Sequence, residues 1–162
     1  MNAGVASFVR MIKHPVKFRL FLLTKLPSAY FSGVRVKEVN ETRCEVRVPY
    51  KWFSKNPFHS IYFACLSMAA EMSTGALAML HLYKLKQVLS MLVLKVESEY
   101  FKKAVDTTRF ICEDGQKILE TIEQAIKTNE AKIVRVKSVG MNKSDEIIAE
   151  FFITWSFKMK KA

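Results

Sequence analysis

The stretch SIYFACLSMAAEMSTGALAML, residues 60–80, holds one charged side chain, Glu71, in an otherwise apolar and small-residue run. Read as one helix from near Ser60 to about Leu82, it would be roughly 34 Å long, enough to cross a small domain. A helix apolar on nearly every side has to be wrapped by protein or by lipid. Its length would suffice for a bilayer. Ser67, Ser73, Thr74 and above all Glu71 argue against a membrane span, since a carboxylate at the centre of one costs about 3 kcal/mol. The flanking sequence alternates as strands do, so the wrapping is predicted to be a sheet.

Outward from this run, VRVKEV (34–39) and RCEVRVP (43–49) read as a hairpin across Asn40-Glu41-Thr42. Cys44, Val46 and Val48 share one face, and Arg43, Glu45 and Arg47 share the other, which is therefore wet or paired. Downstream, residues 91–101 and 107–113 read as strands. Residues 115–130 read as an amphipathic helix with Ile118, Leu119, Ile122, Ala125 and Ile126 inward. Residues 132–141 and 146–160 form a second hairpin, in which Ile147 to Met159 alternate to one face. The fold class is α+β: an antiparallel sheet around one long helix.

Two basic helices precede this domain. Val5, Phe8, Val9 and Ile12 have helical spacing, a second run follows from Val16 to Leu26, and Pro27 and Gly33 close the section. The division is 1–33 as an N-terminal helical extension and 34–162 as the main domain. Residues 1–33 carry Arg10, Lys13, Lys17, Arg19 and Lys25 and no acid, within a chain of net charge +11. Such a surface suits a phosphorylated ligand, an anionic membrane or nucleic acid. Nucleic acid is disfavoured, because the aromatics lie mainly on the buried side of the strand patterns and stacking needs exposed ones. Cys44, Cys65 and Cys112 are widely spaced with no CxxC pair. They are read as reduced thiols of a cytoplasmic protein, with no metal site.

On the helix, Ser60, Ala64, Ser67, Glu71, Thr74, Gly75 and Ala78 fall on one stripe, with bulky residues around the rest. A stripe of small residues admits another backbone or a thin ligand. Glu71 at its centre is either a paired structural acid or a base or nucleophile in a dry tunnel.

The segment NPFHSIYFACLSMAAEMSTG resembles the hotdog-fold acyl-CoA thioesterases of the PaaI-like kind, closest to relatives with an N-terminal helical extension. There an Asn stands six residues before a His-Gly-Gly turn, and an acid follows nine after the His. Here Asn56, Tyr62-Phe63-Ala64 and Glu71 take those places. The resemblance implies a hotdog fold and a thioesterase with Glu71, Asn56 and Tyr62 as catalytic residues. The Phe63 N–H would be its oxyanion donor, with Ser67, Thr74, Lys102 and Lys103 toward the substrate. It implies an acyl-CoA or acyl-carrier thioester as partner, coenzyme A only as part of that substrate, no other cofactor, and a homodimer or tetramer. The turn departs from the pattern: tyrosine is a poor base near neutrality, and Phe63 and Ala64 stand where glycines allow close approach. His59 is a surface or capping residue by its setting, or a neighbour of the site. Met68, Met72, Met79 and Met91 read as core fillers whose flexibility also suits an acyl pocket. A non-catalytic acyl- or lipid-binding protein, docked through its basic N-terminus, is the alternative.

Overall fold

In a computed structural model the described residues are 3–83, 85 and 88–160; the outermost ends of both predicted segments lie outside them. Three helices, α1 (Ala3–Lys13), α2 (Pro15–Lys25) and α3 (Pro27–Ser32), precede β1 (Arg35–Val39) and β2 (Cys44–Val48). The long helix α4 (Phe63–Leu82) follows, then β3 (Leu89–Tyr100), β4 (Thr108–Cys112), α5 (Gly115–Thr128), β5 (Lys132–Met141) and β6 (Ile147–Met159). All strands join one antiparallel sheet in the order β1-β2-β4-β5-β6-β3. A single sheet curled round one helix is the hotdog arrangement.

The core lies between α4 and the concave face of that sheet. Val46, Val48, Phe110, Val136, Phe151, Ile153 and Phe157 point inward from the strands, against Leu66, Ala69, Ala70, Leu77, Ala78 and Leu80 of the helix. Each large aliphatic side chain buried there contributes about 1.5–3 kcal/mol. Alanines along α4 let the sheet approach closely. Two polar latches cross this layer. Thr74 Oγ1 accepts from Trp155 Nε1 at 3.0 Å, and the Ser73 and Ser138 hydroxyls meet at 2.8 Å. By length and composition α4 could span a bilayer, yet two-thirds of its apolar window is buried inside the fold.

Two boundaries differ from the sequence reading. The helix begins at Phe63, not near Ser60, because the backbone before it is engaged elsewhere. Ile61 N–H donates to Ala104 O at 2.8 Å, and Tyr62 N–H donates to Ser54 O at 2.7 Å. Pro27, read as closing the helical section, instead opens the short α3, where the first helical position needs no N–H.

On the convex face, Glu45 is buried beneath Arg43, Arg47 and Arg109. Burial alone would push its carboxyl up, but the hydrogen bonds from Arg47 and Arg43 outweigh that and hold it low. The polar side of the first hairpin is thus paired. The three cysteines are free and buried.

The end of α4, the start of α5 and the β1–β2 turn meet tightly. His81 Nε2 bonds Glu41 O at 3.1 Å, and Gly115 N–H donates to Thr42 O at 3.1 Å. A methyl at Gly115 would lie 2.3 Å from the Glu41 carbonyl oxygen and 2.6 Å from Thr42 Cα, backbone atoms that cannot turn aside. Gly115→Ala is expected to cost about 1–3 kcal/mol in denaturant unfolding, despite alanine's better helix propensity. An unchanged midpoint would mean that the turn yields freely.

Candidate functional site

The sequence-predicted residues separate into two groups along α4. The first surrounds its N-terminus. Asn56, Tyr62, Phe63, Leu66, Tyr100, Phe101, Lys102 and Lys103 line an open groove of about 560 Å³. Tyr62 is the N-cap residue, with extended φ and ψ, and Phe63 is the first helical position. Cys65 and Leu66 N–H both donate to Tyr62 O. The Phe63 and Ala64 N–H groups have no acceptor among the described residues. They are the free donors at the positive end of a 20-residue helix.

Asn56 shapes the turn into this groove. Its Oδ1 accepts from Phe58 N–H (3.0 Å), Ser60 N–H (3.2 Å) and the Ser60 hydroxyl (3.2 Å). Three donors on one atom fix the amide's orientation, and they leave Nδ2 without a partner among the described residues. Asn56 is therefore a turn residue with a spare donor. His59 lies exposed in the same turn at φ 57° and does not line the groove. Lys102 pairs with Glu146; Lys103 is exposed at the rim.

The second group surrounds Glu71, two turns further along the helix. Its carboxylate makes no hydrogen bond or ion pair among the described residues, and burial pushes its pKa up. Gly75, one turn on, makes room for it. A Cβ there would lie 3.0 Å from Glu71 Oε1 and 3.4 Å from the Trp155 ring. On one side the carboxylate borders an apolar cavity of about 90 Å³. Phe8, Met11, Ile12, Phe18, Phe21 and Leu22 of α1 and α2 wall it, with Met72, Met79 and Met91 opposite. On the other it borders an opening lined by Lys25, Leu26, Pro27, Ser28, Ala29 and Met68. Three of the four methionines read as flexible fillers thus line the cavity, and Met68 lines the opening.

The stripe on α4 is not one surface. Ser67 and Glu71 are half-buried, and Glu71 borders Val36 of β1 and Met91 of β3 across the cavity. Thr74 is wholly buried, donates to Glu71 O at 2.9 Å, accepts from Trp155, and lines none of these spaces. Its assignment to substrate is corrected: a hydroxyl with both bonds made inside the core has nothing to offer a ligand. What the sequence reading missed is the cavity wall. Phe8 and Ile12 carried a helical spacing, but nothing in it said they would face Glu71, and the run from Val16 to Leu26 did not single out Phe18 and Leu22.

Residues 17–156 match the family model for a domain of unknown function, DUF4442. The chain belongs to the DUF4442 family. No curated protein matches it. Among solved structures, a protein of unknown function from Chlorobaculum tepidum superposes with TM-score 0.80 at 13% identity, covering 98% of this chain and 100% of that one. The Pseudomonas aeruginosa protein PA5026, described as a probable thioesterase, gives TM-score 0.74 at 17% identity, over 90% and 97% of the two chains. The Haemophilus influenzae thioesterase HI1161 gives 0.62 at 11% identity, over 86% and 88%. At these identities the likeness carries the hotdog fold of this DUF4442 chain and nothing finer.

The Glu71 environment has a thermodynamic signature. The folded chain holds the Glu71 proton to higher pH than the unfolded chain does. Stability at this position is thus greatest below the ordinary carboxylate range and falls as pH rises through it to the folded-state pKa. Glu71→Gln removes that fall. The variant is expected to be more stable than wild type at neutral pH, with the gap closing below about pH 4, as read from unfolding midpoints across pH. Equal midpoints at neutral pH would mean that the carboxylate is well hydrated.

Proposed function

We propose that this protein hydrolyses an acyl thioester, carried by coenzyme A or an acyl-carrier protein, in a site completed by two copies of the chain. The observation that carries this reading is an unpartnered, half-buried carboxylate on the same helix as two free N-terminal N–H groups. Hydrolysis needs a base or nucleophile on one side of the carbonyl and hydrogen-bond donors on its oxygen.

Within one chain these cannot meet. Phe63 and Glu71 are eight residues apart, which is about 12 Å along the helix axis. A second α4 running antiparallel beside the first would bring the Glu71 of one copy near the helix start of the other. The sheet offers a place for that copy. β3 is an edge strand of 12 residues, with Leu92, Leu94 and Val96 exposed. A long apolar edge calls for cover, and two-fold pairing is the commonest way to supply it.

In this reading the Glu71 carboxylate takes a proton from water as the water oxygen attacks the thioester carbon, or attacks that carbon itself to give an acyl anhydride that water hydrolyses after the thiolate has left. The Phe63 and Ala64 N–H groups and Asn56 Nδ2 receive the developing oxyanion. The C–S bond then breaks, and the thiolate leaves to be protonated. Tyr62, half-exposed at the helix cap, would orient the carbonyl by its hydroxyl rather than act as a base. Ser67 is one turn before Glu71 on the open side, and Lys102 and Lys103 suit the phosphates of the carrier arm. Buried, free cysteines support a cytoplasmic setting. A second reading, acyl binding without turnover, is favoured by Phe63, whose exposed ring stands beside Tyr62 where close approach to the helix start is needed.

One substitution isolates the backbone donor. Proline at the first helical position keeps the helix, and Tyr62 already has the extended backbone that must precede it (φ −62°, ψ 134°). With an acyl-CoA panel and a thiol readout, Phe63→Pro is expected to lose roughly a hundredfold or more in rate, and Phe63→Ala to keep it. Glu71→Gln should be inactive. Mixing the Glu71→Gln and Phe63→Pro chains should restore about a quarter of wild-type activity, since half the dimers are mixed and each has one whole site. Absence of hydrolysis with co-purified acyl ligand would favour the binding reading. Activity untouched by Glu71→Gln would reject the catalytic one.

A further inference from the structure

Helix α2 is apolar on two opposite faces. Phe18 and Leu22 face inward, into the cavity beside Glu71. Val16, Leu20 and Leu23, at i, i+4 and i+7, face outward and are 67%, 58% and 40% exposed; Leu26, just past the helix, is 45% exposed. At about 100° per residue, Arg19 flanks this outer stripe on one side and Lys17 on the other. Arg10, Lys13 and Lys25 are exposed on the same helical pair.

The stripe does not end with the helix. Arg19 lies over the Tyr30 ring, 5.0 Å from its centroid, and donates to its hydroxyl at 3.2 Å. Tyr30 packs edge-on against Phe31, and Phe31 stacks on Phe53, which meets Trp52 at 5.1 Å between centroids. Phe31, Phe53 and Trp52 are all about half-exposed or more. A row of aliphatic side chains thus adjoins an exposed aromatic ladder, with cations at its borders.

We infer that this face docks on an anionic lipid bilayer, with α2 lying in the plane of the interface. Leucine, phenylalanine and tryptophan toward the acyl boundary, with lysine and arginine at headgroup level, is the composition that such helices need. Charge selects the occupant. The first 33 residues carry five cations and no acid, so a second copy set against this face would bring like charges together. A nucleic acid would satisfy the cations and leave the leucines against water. An anionic bilayer satisfies both. Docking also sets α2 one helix thick between lipid and the Glu71 cavity, although it does not depend on the thioester chemistry proposed above.

The chain carries its own reporter, because Trp52 is 74% exposed whereas Trp155 is 3% exposed. The full-length protein would be mixed with phosphatidylcholine vesicles, with and without phosphatidylglycerol, and followed by flotation and tryptophan emission. Binding is expected on the anionic vesicles, with a blue shift from Trp52. It should be released as salt rises from about 0.1 to about 1 M and the screening length falls from about 10 to about 3 Å. Leu20→Ser with Leu23→Ser should weaken binding roughly tenfold or more at an unchanged melting temperature. Lys13→Gln with Lys17→Gln should weaken it on anionic vesicles alone. No binding to anionic vesicles at low salt would overturn the inference, as would equal binding by the leucine double variant.

Discussion

The contact between α4 and the concave face of the sheet is the constraint on which the rest of the molecule depends. A 20-residue helix with apolar side chains all round cannot stand in water, and six strands with one apolar face each cannot either. Each supplies the cover that the other needs. Close packing then dictates detail. Where α4 presents a hydroxyl to the sheet, the sheet supplies a partner: Trp155 for Thr74 and Ser138 for Ser73. These bonds add little net stability, but leaving such groups unpaired would be costly, so they hold the helix in register with the strands.

Against that background Glu71 stands out. Arg43 and Arg47, two residues either side of it along the chain, hydrogen-bond buried Glu45, so this fold is able to neutralise a buried carboxylate. At Glu71 it does not. The helix instead gives up a side chain at Gly75 to accommodate the carboxylate, and α1 and α2 close an apolar cavity beside it. An acid kept desolvated holds its proton more tightly, and as a carboxylate it is a stronger base than one in water. The same burial that costs stability at neutral pH therefore raises its competence in proton transfer.

Much of this was legible in the sequence, for physical reasons that differ by element. The strand from Ile147 to Met159 announces itself because it is wet on one side and dry on the other, and period-two alternation records that difference. The helix at Gly115–Thr128 is readable for the same reason at its own period. α4 was readable as a helix but not as a surface. Its stripe of small residues looks uniform on a helical projection, yet Ser67 and Glu71 stay half-buried while Thr74 and Ala78, further along the same face, are wholly buried. Which neighbour covers each turn of that face is decided by tertiary packing, and a one-dimensional pattern does not hold that information. The inner wall supplied by Phe8, Phe18 and Leu22 was hidden likewise: the spacing of Phe8 and Ile12 shows that a face is buried, not against what, and a run apolar on two faces, as in α2, does not show which one is inward.

The altered turn separates what a side chain controls from what a backbone controls. Replacing a glycine by phenylalanine at the first position of a helix leaves the N–H, its direction and the helix dipole in place. What changes is the space in front of them. In this chain that space is bordered by Phe63, Phe101, Tyr62 and Asn56. The polarising end of the helix is therefore intact while its approach is narrower and more aromatic than a pair of glycines would leave it. In the reaction proposed above, such a turn selects among substrates by the shape of the group next to the carbonyl, because a side chain there meets the acyl or carrier arm before the N–H does. In the proposed reaction, the departure from the resembled thioesterase turn thus bears on which thioester can reach the donors, and not on whether donors exist.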